Sequence, residues 1–216
     1  MDNNIKMDRR SFLKKAAVGV AAVSVSCVGL TYVGTIQPEI EQPRYTGEIM
    51  NTNKRILVTY ATRAGSTAEV ADFISKQLVQ QGFSVDLQPV KQVSDLSGYQ
   101  AVVMGSPIRM GKWVGEANQF LQNNNDVLSK KPTAAFTVCM PQIEDHQQAF
   151  DGYLTQIKAY HTPNEAAFFL GKMALEKLSF LDRFISKTLK AKDEDLRDWE
   201  KIGAWAQALP NKLSLN

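Results

Sequence analysis

Cysteine is almost absent from this sequence: its 216 residues contain two, Cys27 and Cys139. Two thiols cannot build a disulfide framework, so a packed core must hold the fold. Histidine is equally scarce, and His146 and His161 stand too far apart for ligand spacing, so no metal-site pattern is present. Net charge is also missing from most of the chain. The first fifteen residues hold five bases (Lys6, Arg9, Arg10, Lys14, Lys15) against two acids (Asp2, Asp8). Of 25 bases and 22 acids in all, 20 of each remain beyond that point. A neutral body carries no basic footprint for nucleic acid. The GxGxxG fingerprint of a dinucleotide fold is missing. "GSPIRMGK" (105–112) has one residue too many between its glycines for a nucleotide P-loop, and Trp113 stands where Ser or Thr would bind magnesium, which excludes an NTPase. Thr59 and Tyr60 occupy the end of the first apolar run, where a response-regulator receiver needs acidic residues.

What is present reads as an ordinary globular domain with an appendage: 44% hydrophobic and 22% charged residues. The appendage comes first. "DRRSFLKKAAVGVAAVSVSCVGLTYVGTI" places an arginine pair before an uncharged run from Ala16 to Ile36. This order resembles the twin-arginine export signal, with Asp8 in the place where Ser or Thr usually precedes the pair. The run is long enough to span a bilayer, so residues 1–36 are read as a signal or a membrane anchor. That reading puts the body outside the cytoplasm, periplasmic or on the outer face of the membrane, with the twin-arginine machinery as a partner. Cys27 is either a lipid-attachment residue or a small residue of the apolar run. Residues 37–53 are polar, carry two prolines and read as a linker.

From residue 54 to about 210 the pattern alternates. "RILVTY" (55–60), "FSVDLQPV" (83–90), "YQAVVMGSP" (99–107), "PTAAFTVCM" (132–140) and "EAAFFLG" (165–171) read as strands. Between them, residues 66–82, 115–130 and 144–160 read as helices, the first with Val70, Ile74 and Leu78 on one face and Gly82 as its stop. Two further helical stretches, 173–192 and 195–209, close the chain. Alternation of this kind predicts an α/β fold: five parallel strands with helices on both faces, and a ligand site at the carboxyl ends of the strands.

The stretch "LVTYATRAGSTAEVA" (57–71) carries the chemistry. It hands a strand over to a helix through a loop with three hydroxyls, Thr62, Ser66 and Thr67, around Gly65. Free N–H groups at a helix start attract an anion, most often phosphate, and glycine permits close approach. The alternative is plain capping of the helix by Ser66 or Thr67.

Here the chain resembles a known family. "YATRAGSTAE" resembles the FMN phosphate loop of the flavodoxins, and "GSPIRMGKW" their second flavin loop. Ala64 stands where carrier flavodoxins usually have Thr. "TRAGST", "SPIRMG", "LDRFISK" (181–187) and "DWEKIGAWA" (198–206) resemble the menaquinone-dependent protoporphyrinogen oxidases, a flavodoxin-like enzyme family. The resemblance implies bound FMN. Its contacts would come from Thr62, Arg63, Ala64, Gly65, Ser66 and Thr67 in the first loop, from Ser106, Pro107, Ile108, Arg109, Gly111 and Trp113 in the second, and from Cys139 and Met140 after the fourth strand.

Within that frame Trp113 either stacks on the ring or fills the core of the next helix. Arg109 and Lys112 lie near the expected flavin edge, to bind substrate carboxylates or stabilise reduced, anionic flavin, or else as a solvated loop face. The 173–192 stretch carries Phe180 and Phe184 among Lys177, Arg183, Lys187, Lys190 and Lys192. A basic amphipathic helix can meet a membrane and a lipid-soluble quinone; packing on the sheet, or on a second subunit of a homo-oligomer, is the alternative. The expected function is an FMN oxidoreductase passing electrons between a reduced organic substrate and a quinone. The alternative is a membrane-tethered electron carrier, although carriers of this type are usually strongly acidic.

Overall fold

The computed structural model describes residues 42–44, 46, 55–140, 146–180, 183–184 and 192–215. The apolar run of the proposed signal and most of the linker lie outside them. Among the described residues, eight strands and four α-helices follow in order: β1 (Arg55–Tyr60), α1 (Ser66–Gln80), β2 (Ser84–Pro89), β3 (Ala101–Arg109), β4 (Lys112–Trp113), α2 (Gly115–Leu128), β5 (Thr133–Cys139), α3 (His146–Lys158), β6 (Glu165–Leu170), β7 (Lys172–Met173), β8 (Glu194–Asp195) and α4 (Trp199–Lys212). Five strands form a parallel sheet in the order β2-β1-β3-β5-β6, and β4 adds an antiparallel pair to β3.

The central strands β1 and β3 are apolar on both sides because helices cover both faces, while the edge strand β2 alternates Val85 and Leu87 with Ser84, Asp86 and Gln88. In β1, Ile56, Val58 and Tyr60 enter one core with Val70, Ile74 and Leu78 of α1 and Ile202, Ala206 and Leu209 of α4. Leu57 enters the other core, with Phe120, Leu121 and Leu128 of α2 and Ile157 near the end of α3. Gly105 in β3 is obligatory for packing: a Cβ there would lie 2.1 Å from Cζ of Phe136 on β5.

Three expectations change. The chain from 173 to 192 is not one helix: Lys172–Met173 pairs with Glu194–Asp195 as a two-stranded ribbon, and Leu175–Lys177 forms a single 3-10 turn. Phe180, Arg183 and Phe184 are helical, while Lys187 and Lys190 lie outside the described residues. The last helix begins at Trp199, because Asp198 caps it by accepting from the Lys201 N–H at 2.9 Å. The packed unit also runs past 210, since Leu213 and Leu215 are buried in the α1/α4 core. Among the described residues no helix is long and apolar enough to cross a membrane.

Candidate functional site

The chain leaves β1 toward β2 on one side and returns to β3 on the other, so the order reverses around β1. In sheets of this kind the ligand crevice lies where the order reverses, which here is at the carboxyl ends of β1 and β3. The loop 61–65 sits there, held to β3 by the Ala61 N–H donating to the Gly105 carbonyl at 2.9 Å. Gly65 is the N-cap of α1 and adopts φ 88°, a left-handed conformation that side chains resist. No side chain caps the helix, so the capping roles considered for Ser66 and Thr67 are not taken up. The first intrahelical bond runs from Glu69 N–H to the Gly65 carbonyl at 3.0 Å, which leaves the amides of Ser66, Thr67 and Ala68 without helical acceptors.

The hydroxyls divide their work. Thr62 Oγ1 accepts the Gly65 N–H at 3.1 Å and so shapes the loop from within. Ser66 Oγ accepts the Lys172 N–H at 3.0 Å and so carries β7 against the start of α1. Thr67 is buried at the first turn. Arg63 does not point into an empty cradle: Nη2 donates to Glu116 Oε2 at 2.6 Å and Nη1 to Oε1 at 2.5 Å. Burial pushes the Glu116 carboxyl up, but the Arg63 hydrogen bonds outweigh it and hold the group below the usual carboxylate range.

The second stretch is a strand and hairpin and not a loose loop. Ile108 and Arg109 pair with Trp113 and Lys112. The two-residue turn, Met110 and Gly111, has φ 51° and 76°, as a type I′ hairpin requires. Gln156 of α3 donates to the Gly111 carbonyl at 3.0 Å and steadies the tip. Ser106 is fully buried; its Oγ accepts from the Val114 N–H at 3.3 Å. Pro107 and Ile108 are half-buried, while Arg109, Met110 and Gly111 are exposed. Trp113 is a core residue: its ring is buried in the α2 cluster and Nε1 donates to Thr137 Oγ1 at 2.9 Å. A ring committed to that bond does not stack on a ligand at the crevice.

Cys139 and Met140 end β5 half-buried at the same carboxyl edge. Cys139 Sγ lies 3.9 Å from the Tyr153 hydroxyl, and burial pushes the thiol pKa up, so it stays protonated. Sequence reading missed four participants. Glu116 and Tyr153 gave no signal, because each pairs with a loop far away in sequence. Lys172 joins Ser66 through its backbone, which no side-chain pattern reveals. Arg197, 4% exposed, bonds Glu69 of α1 and Asp195 of β8 and so ties the β7–β8 ribbon to the start of α1.

Residues 57–199 match the profile of the Flavodoxin domain family. The chain belongs to that family. The protoporphyrinogen IX dehydrogenase [quinone] of Escherichia coli K12 is 22% identical over 175 residues, covering 72% of this chain and 94% of the relative. Among solved structures, oxidised flavodoxin 2 from Bacillus cereus has a TM-score of 0.50 at 21% identity, over 73% of this chain and 99% of that one. A short-chain flavodoxin associated with a non-canonical PDU bacterial microcompartment also scores 0.50, at 16% identity over 74% and 98%. These likenesses give the fold, and the sheet order is the one for which flavodoxin is itself the standard example.

FMN is the cofactor of this family, and the residues present fit it. An uncapped helix start, an open left-handed glycine and a buried Thr67 meet the needs of a phosphate. The Ile108–Lys112 hairpin and the Cys139–Met140 segment would border the ring. When bound, FMN supplies the electron-transfer chemistry, while the protein supplies position and electrostatics.

Proposed function

We propose that this flavodoxin-domain protein is an oxidoreductase that passes electrons between a reduced organic substrate and a quinone. The observation that carries the reading is the 172–198 segment. It is bonded to the phosphate loop through Ser66 and leaves Phe180 and Phe184 74% and 64% exposed. Two exposed aromatic rings, on the stretch of chain that follows the Ser66–Lys172 bond, suit an apolar electron acceptor. The similar Escherichia coli protein bears the name protoporphyrinogen IX dehydrogenase [quinone], so protoporphyrinogen is the first donor to test and a menaquinone-type compound the first acceptor.

In this reading Ser66, Thr67 and the first-turn amides of α1 bind the phosphate. Arg109 and Lys112, both exposed, meet carboxylates of an incoming substrate. Arg183 is not a free membrane-facing charge: Nε donates to the Leu175 carbonyl at 2.8 Å and Nη2 to that of Glu176 at 2.6 Å, which braces the 3-10 turn beneath Phe180. The test is an anaerobic screen of reductants and quinones with flavin-loaded protein. Quinone-dependent turnover supports the oxidoreductase. Reversible reduction without turnover of any organic donor would make the protein a carrier instead.

The same proposal places the protein outside the cytoplasm by the twin-arginine route. The route carries folded proteins, which suits a chain that must close around FMN before crossing. Changing Arg9 and Arg10 together to Lys should retain the protein in the cytoplasm. Export that survives both changes refutes this part.

A further inference from the structure

Arg63 is the one cation in the phosphate loop, and beside a phosphate an arginine is ordinarily a bidentate ligand. Its geometry here argues otherwise. Both terminal nitrogens are committed to the two oxygens of one carboxylate, with the Arg63 and Glu116 side chains 30% and 14% exposed. That carboxylate stands in the first turn of α2, a helix whose N-cap, Val114, has no side-chain cap bond. The Val114 N–H is bonded to Ser106 at the end of β3, and Asn118 Nδ2 donates to the Trp113 carbonyl at 3.2 Å. The start of α2 is thus joined to the base of the β3–β4 hairpin. The Arg63–Glu116 fork joins it in turn to the loop 61–65.

We propose that Arg63 is a positioning residue, not a phosphate ligand, and that its fork with Glu116 fixes the phosphate loop to the hairpin that borders the flavin ring. This rests on FMN binding at the crevice. The phosphate then meets only neutral donors: the amides of Ser66, Thr67 and Ala68 and the Thr67 hydroxyl. The fork sets how far the phosphate cradle stands from the ring's border. A single carboxylate at residue 116 therefore influences a ligand that it does not touch.

The test is a double-mutant cycle on the full-length chain, purified in mild detergent and stripped of flavin. FMN affinity is titrated by flavin fluorescence for the wild type, Arg63→Gln, Glu116→Gln and the double variant. Hydrogen bonds to charged groups of this kind are worth about a factor of ten. Each single change should weaken FMN binding by about that factor, and the double change should be no worse than the weaker single. Arg63→Lys keeps the charge but loses the fork, and should resemble Arg63→Gln. If Arg63 binds phosphate, Glu116→Gln frees it and leaves affinity unchanged or improved, and Arg63→Lys retains most of the binding. Either result overturns the proposal, as does simple additivity.

Hydrogen exchange in the flavin-free protein gives a second, ligand-independent readout. The Gly65 amide, bonded to Thr62, and the Glu69 amide, bonded to the Gly65 carbonyl, should exchange faster in Glu116→Gln, and unchanged protection there also overturns the brace. A wild type that binds no FMN would refute the crevice as a flavin site while leaving this exchange result to decide the brace.

Discussion

The two ends of the sheet use polar residues in opposite ways. At the amino end they are spent on one another. Asp86, 1% exposed, accepts from Arg55 Nη2 and from the Tyr99 hydroxyl, each at 2.6 Å. Burial and Asp86 together push the Tyr99 pKa up to about 12, so it remains a donor. Thr133 opens β5 with its N–H on Asn164 and its hydroxyl 2.8 Å from His161 Nε2. At the carboxyl end the helix start is uncapped, Gly65 and Gly111 are left-handed, and the hairpin tip stands in water. The amino end is closed mostly by bonds among its own polar groups, with Arg55 Nε and Gln100 Oε1 left buried and unpaired; the carboxyl end pairs its side chains too but leaves the first-turn amides of α1 for a ligand. The same α/β layering supports both, so the difference lies in the residues at the strand ends and not in the fold.

Four experiments would break or sharpen that contrast. The largest effect belongs to Asp86→Ala. Removing one partner of a buried pair leaves the other uncompensated, and with Arg55 partly exposed the loss should be near the low end, about 3 kcal/mol of unfolding free energy. Denaturant titration measures it, and FMN affinity of the folded protein should not change. Loss of FMN binding there would join the two ends functionally.

Gly65→Val comes next and acts in reverse. A β-branched residue in a left-handed conformation costs about 1–2 kcal/mol, and it also crowds the cradle. FMN affinity should fall at least about tenfold, a change of the same order in free energy, as read by fluorescence titration. Undiminished affinity would remove Gly65 from the site. Thr62→Ala is smaller: without an acceptor for the Gly65 N–H the loop loses about 1 kcal/mol. The expected result is severalfold weaker FMN binding with a nearly unchanged melting temperature.

The smallest effect is a pH dependence. Burial pushes the His161 pKa below its ordinary 6.5, so the unfolded chain takes up a proton that the folded one refuses. The sign follows: stability is complete above pH 6.5 and declines as pH falls from there toward the lowered folded value. Melting temperatures across this range should drop more for the wild type than for His161→Gln. Parallel curves would mean that His161 protonates without strain.

The strands of this fold were legible because burial on both faces leaves near-continuous apolar runs; "RILVTY" coincides with β1 residue for residue. Helix α1 was legible from Val70, Ile74 and Leu78, all of them buried. The segment 173–192 misled at its start, where Lys172 and Met173 are drawn into a ribbon with Glu194 and Asp195 instead of opening a helix, while Phe180 and Phe184 are helical as expected. The site was legible where it is local. Gly65 and its hydroxyls announce an anion cradle through a single loop. Arg63–Glu116, Ser66–Lys172 and Cys139–Tyr153 join residues distant in sequence, and no periodicity records such pairs. Trp113 was ambiguous for a related reason: only its bond to Thr137, on a neighbouring strand, commits it to the core.

Met110, held at positive φ on the hairpin tip, is 94% exposed, whereas Met104, in the strand that leads to it, is 1% exposed. A thioether so open to solvent is an easy target for oxidants, and conversion to the sulfoxide turns an apolar tip polar. Reduced flavins in contact with oxygen commonly release peroxide, and this sulfur stands on the hairpin that would border a bound flavin. Peptide mapping after aerobic turnover should find sulfoxide at Met110 well before Met104. The tip would then act as a chemical dosimeter, recording in its own side chain how often electrons escaped to oxygen instead of reaching their acceptor.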